Sequence, residues 1–111
     1  MNMHVVCTLQ VEGLHCWPEA SGNAAYLRKL HRHMFVITME FPVYDGNREV
    51  EIITRQNEVR RYLLNRYGDH DDVCRFGRMS CEDIAGELFA KFAAASCTVL
   101  EDGFGGAKVV R

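Results

Sequence analysis

From Val5 to Val11 the side chains alternate, with Val5, Cys7, Leu9 and Val11 on one face and Val6, Thr8, Gln10 and Glu12 on the other. A period of two predicts a half-buried strand, which ends near Gly13. The run from Leu30 to Val43 is rich in β-branched and aromatic residues and puts His31, His33, Phe35, Ile37, Met39 and Phe41 on one face, predicting a second, longer strand. Between them, Pro18 to Ala25 carries turn chemistry with little periodicity and reads as a surface loop. Asp45-Gly46-Asn47 predicts a hairpin turn into a short strand around Val50 to Ile53.

The period then changes. Thr54 is placed to cap a helix on which Val59, Tyr62, Leu63 and Arg66 share a face, with Gly68 to end it. Ser80 and Asp83 resemble a capping box, followed by an apolar stripe of Ile84, Ala85, Leu88, Phe89 and Phe92. Thr98 to Glu101, a Gly-rich turn at 102–106, and Ala107 to Val110 predict a final hairpin. Strands at both ends with two helices between them imply an α+β class, an antiparallel sheet with helices on one face.

At 111 residues, 48% apolar and 25% charged, the chain is expected to form one domain spanning residues 1–111. A core of this size leaves much apolar surface uncovered, which oligomerisation would bury. The net charge of −2, with no basic face, excludes the electrostatic footprint of a nucleic-acid binder, and Arg60, Arg61 and Arg66 read as a solvated helix face. No signal-like segment and no apolar run near the roughly 20 residues of a membrane span are seen, so a soluble, cytoplasmic protein is expected. Five irregularly spaced cysteines without a CxxC suit a reducing compartment, most of them as small buried hydrophobes.

Three features carry candidate chemistry. His31 and His33 lie on the same face at the start of the second strand, and His15 lies just past the end of the first. Antiparallel neighbours are about 5 Å apart, so the three imidazoles can meet, and three neutral imidazoles with one open position form the ligand set of a catalytic zinc. A bare HxH is more often structural, but His15 at the matching strand end favours a Zn²⁺ site. "GDHDD", residues 68–72, reads either as a solvated acidic loop or as an acid/base dyad in which Asp69 orients His70, and spacing does not choose between them. Glu101, at a strand end, is either exposed or, in a pocket, an acceptor of paired N–H bonds from an aminopyrimidine edge.

Together, "GLHCW", "LHRH", "GDHDD", "MSCEDIA" and "VLED", in that order along nearly the whole chain, resemble the 6-pyruvoyl-tetrahydropterin synthase / 6-carboxytetrahydropterin synthase family. The resemblance implies the T-fold (tunnelling fold), Zn²⁺ on His15, His31 and His33, and 7,8-dihydroneopterin triphosphate as substrate, its pterin ring held by Glu101. It implies Asp69 and His70 as proton-transfer partners, and a homo-oligomer, commonly a hexamer, with sites at subunit interfaces. Leu27 stands where the family carries its catalytic cysteine, four residues before His31. Cys16 adjoins His15 but would face away on a regular strand. Leu27 favours an alternative, a non-catalytic zinc-containing T-fold protein that binds a pterin or purine. A weaker alternative is an unrelated metal-assisted hydrolase.

Overall fold

Two 13-residue strands, β1 (Met3–His15) and β2 (His31–Val43), run antiparallel in unbroken register from Met3 opposite Val43 to His15 opposite His31. The structure, a computed structural model, describes residues 2–111. β1 turns Cys7, Leu9 and Val11 into the core, and β2 turns in Phe35, Ile37, Met39 and Phe41. Strict alternation over this length makes any one-residue slip costly, since it would expose the whole apolar set.

After β2 come α1 (Ile52–Tyr67), β3 (Cys74–Gly77), α2 (Cys81–Lys91), β4 (Ser96–Glu101) and β5 (Gly105–Val110). The sheet order is β3-β1-β2-β4-β5, antiparallel except for β3, which runs parallel to β1. The α+β class is thus observed, with a mixed rather than purely antiparallel sheet. Val59 and Leu63 of α1 and Ile84, Ala85 and Leu88 of α2 close over the same sheet face. Each large side chain buried there contributes about 1.5–3 kcal/mol. Tyr62 and Tyr67 of α1 both donate hydroxyl hydrogen bonds to Glu87 of α2, and Arg66 pairs with the same carboxylate at 3.0 Å. Arg66 therefore ties the helices together instead of lying on a purely solvated face.

Several local expectations give way to structure. No strand forms at 50–53: Ile52 and Ile53 open α1, and Glu51, three residues before Thr54, is the cap. The Glu51 carboxylate accepts the N–H groups of Ile53 and Thr54 at 3.0 and 2.9 Å, satisfying donors at the helix start that have no intrahelical acceptor. Those hydrogen bonds hold its carboxyl below the usual range. The Ser80–Asp83 capping box forms with both of its hydrogen bonds. The second half of the 18–25 loop opens a 3-10 helix, Gly22–Arg28, which has no buried residue and hence no apolar signature. Strand β3 has only Cys74 and Phe76 turned inward, too few to register as alternation.

Gly68 and Gly13 are each required by close approach. At Gly68 a Cβ would lie 2.6 Å from the Leu64 carbonyl oxygen, so the residue ends α1 in ordinary extended conformation. At Gly13 a Cβ would lie 2.7 and 2.8 Å from ring atoms of Phe76 and Phe35. These rings meet edge to face, 5.1 Å between centroids, where β3 joins the sheet. Gly13→Ala is expected to destabilise the fold by about 1–3 kcal/mol through overpacking, read as a lower urea midpoint at unchanged m-value. An unchanged midpoint would show that the rings give way freely.

Candidate functional site

The register that builds the core also assembles three imidazoles at one end of it. His15 pairs directly with His31, and Gly13 with His33, so the three rings share the core-facing side of β1 and β2 beyond Phe35. Ring centroids are 4.6 Å apart for His15 and His31, 5.0 Å for His31 and His33, and 5.4 Å for His15 and His33. One ligating nitrogen from each ring lies within 4.8 Å of the other two. Phe35 meets His15 and His33 edge to face from below, at 5.2 and 5.8 Å, an apolar wall that keeps the rings upright.

Each Nδ1 is already engaged. His15 Nδ1 lies 2.9 Å from the Met79 carbonyl, His31 Nδ1 2.9 Å from the Lys29 carbonyl, and His33 Nδ1 2.7 Å from the Asp102 carboxylate. A carbonyl or an ionised carboxylate can only accept, so each neutral ring carries its proton on Nδ1 and turns an Nε2 lone pair outward. Outer hydrogen bonds of this kind accompany nearly all metal-binding histidines, because they set both tautomer and ring angle. His33 Nε2 is buried and has no hydrogen-bond partner among the described residues. Glu101 Oε1 stands 3.5 Å from it, outside bonding geometry, and Glu101 Oε2 is 3.0 Å from His15 Nε2. Lone pairs facing a carboxylate at these distances call for a positive charge beside them, a proton on Nε2 or a cation held by the three rings. The donor set therefore fits a divalent cation such as Zn²⁺ on His15, His31 and His33.

Asp102, which the sequence presents only as a turn residue, is the main support of this arrangement. In the left-handed region at φ 56°, it accepts the Met34 N–H at 2.9 Å with one oxygen and faces His33 with the other. The Met34 N–H, then His33, hold its carboxyl below the usual 3.8. A carboxyl with a depressed folded-state value adds stability above its unfolded value, and that contribution is lost as pH falls through the folded value. At neutral pH the support is complete. The signal for it lay in register alone, since Phe35 opposite Glu101 brings the next turn residue to Met34 and His33.

The histidines and Glu101 line a cavity of about 730 Å³, together with Cys16, Leu27, Cys81 and the rim side chains Trp17, Arg78 and Phe104. β1 shifts register against β3 between Leu14 and His15, and the Cys16 N–H bonds to the Gly77 carbonyl at 2.8 Å. The chain thus leaves regular strand geometry at this point, and Cys16 reaches the cavity wall that a regular strand would deny it. Cys81 is buried, its thiol 3.7 Å from Glu101 Oε2. Burial and the adjacent carboxylate push this thiol up to about 12, so it stays a protonated donor to Glu101.

Asp69 and His70 lie away from this cavity. The Asp69 carboxylate accepts the N–H groups of Asp71 and Val73 at 2.9 and 3.1 Å and pairs with Arg75 at 3.1 Å, which holds its carboxyl below the usual range. His70 is 91% exposed, its Nε2 3.4 Å from Asp71. Within one chain Asp69 shapes its own loop and does not orient His70.

Compared with models of known protein families and with curated proteins, the chain matches none. No helix among the described residues is long and apolar enough to cross a membrane. Asp102→Asn, which keeps the turn but removes the charge behind His33, is expected to weaken zinc binding about 10- to 100-fold, measured by competition with a chromophoric chelator. An affinity equal to the parent's would remove Asp102 from the metal site.

Proposed function

We propose that this chain is a zinc-dependent pterin synthase or lyase of the T-fold, acting on 7,8-dihydroneopterin triphosphate. The observation that carries the reading is the convergence of three imidazoles, one ligating nitrogen of each within 4.8 Å of the others, in one cavity with Glu101, each ring fixed from behind through its Nδ1. His15, His31 and His33 hold the metal, which when bound supplies Lewis acidity toward substrate hydroxyls. Glu101 grips the ring's aminopyrimidine edge through its two oxygens, with the Cys81 thiol donating to Oε2. Its position at the end of β4, one strand from the histidines, sets the spacing between ring and metal.

Asp69 and His70 are the proposed proton-transfer pair, supplied to the cavity of a neighbouring copy in a homo-oligomer such as a hexamer. The exposure of His70 supports this assignment, as does the sheet face left uncovered by the helices, where Val6 and Val110 are half or more exposed. Ionised Asp69 keeps that loop in shape at neutral pH.

A second reading, a zinc-containing T-fold protein that binds a pterin or purine without turnover, draws on Leu27. This apolar side chain lines the cavity and can neither take nor give a proton. Zinc-loaded protein incubated with 7,8-dihydroneopterin triphosphate, with product followed by mass spectrometry, separates the two. Turnover is expected, abolished in His70→Ala with zinc content unchanged. Pterin binding without turnover would leave the binding reading, and absence of both would end the pterin assignment.

For the metal, purified protein is expected to hold about one zinc per chain. His33→Ala is expected to lose most of it while keeping its circular dichroism spectrum. Elemental analysis finding none in either protein would end the zinc argument.

A further inference from the structure

Charge around the cavity is unevenly placed. Its carboxylates are Glu82, Glu101 and Asp102, and Arg78 is the one lysine or arginine among its lining residues. Glu101 and Asp102 both stand against the histidines, where their two charges offset a bound divalent cation and leave no excess positive charge for a polyanion. Arg78 follows Gly77, whose φ of +63° turns the chain out of β3. The next residue, Met79, gives its carbonyl to His15 Nδ1. The guanidinium is thus rooted one residue from the backbone that orients a proposed metal ligand, and it pairs with Glu19 in the segment after β1.

We propose that Arg78 receives the anionic tail of the cavity's substrate, exchanging Glu19 for the ligand's phosphate oxygens. The assignment rests on the pterin reading above and adds to it the residue that recognises a phosphorylated side chain. Both partners of the existing pair are mostly in solvent, at 69% and 61% exposed, where a single ion pair is screened and weak. A triphosphate brings several charges to the same fork of N–H donors and can engage it through two oxygens at once. Ring recognition at Glu101 and tail recognition at Arg78 then fall to different residues of the one cavity lining.

Trp17, the only tryptophan in the chain, lines this cavity and provides a reporter of occupancy. Its fluorescence is followed as zinc-loaded full-length protein is titrated with 7,8-dihydroneopterin triphosphate and with dephosphorylated 7,8-dihydroneopterin. The expected result is a preference of about tenfold or more for the triphosphate, equivalent to one strong charge-assisted contact. Arg78→Ala should reduce the preference to within about twofold and leave dephosphorylated binding unchanged, while Glu19→Gln should increase it. A preference retained in Arg78→Ala overturns the assignment. Should neither pterin bind, the pterin reading falls, and inorganic triphosphate titrated calorimetrically into metal-free protein still decides the role of Arg78. Heat lost in Arg78→Ala supports a polyphosphate site; equal heat in both proteins, or none in the parent, overturns it.

Discussion

The pairing of β1 with β2 is the constraint on which the rest of the molecule depends. Thirteen consecutive residue pairs, from Met3 with Val43 to His15 with His31, join the two strands without a bulge between them. Because side chains alternate, the register that buries Cys7, Leu9, Ile37 and Met39 also turns His15, His31 and His33 to the same side. Core and candidate metal centre are two ends of one face. A slip that displaced the histidines would also expose the core, so burial of apolar surface holds the polar site in place.

Three further elements complete that site by hydrogen bonding. The turn after β3 contributes the Met79 carbonyl, the segment leading into β2 the Lys29 carbonyl, and the β4–β5 hairpin the Asp102 carboxylate. Each removes rotational freedom from an imidazole and fixes its proton on Nδ1, so the ordering of three side chains is met when the chain folds. The buried Nε2 of His33, without a hydrogen-bond partner among the described residues, is the residual cost, and a cation would offset it.

The cysteines show how environment separates identical side chains. Cys7, Cys74 and Cys97 are buried as ordinary core residues, and desolvation pushes Cys74 and Cys97 up to about 11 and 12. Cys81 is equally enclosed but meets Glu101, which makes its thiol a fixed donor at the cavity. Cys16 alone escapes burial, through the irregularity that follows His15.

The sequence by itself determined the two long strands, the second helix with its capping box and the closing hairpin, because each is written in periodicity or cap chemistry over many consecutive residues. It also placed His15, His31 and His33 at matching strand ends, since alternation and antiparallel pairing are local rules. Tertiary structure decided what local pattern could not carry. β3 is too short to show alternation, and its parallel pairing with β1 depends on chain returning from Cys74, far along the sequence from its partner Gly13. Ile52 and Ile53 are β-branched residues without a strand partner, and the Glu51 cap draws them into α1. Asp102 became a support for His33, Met79 a support for His15, and Asp69 a brace for its own loop, because long-range register sets which acceptor meets which donor. Spacing along the chain reports which way a side chain points; only the folded sheet determines what it meets there.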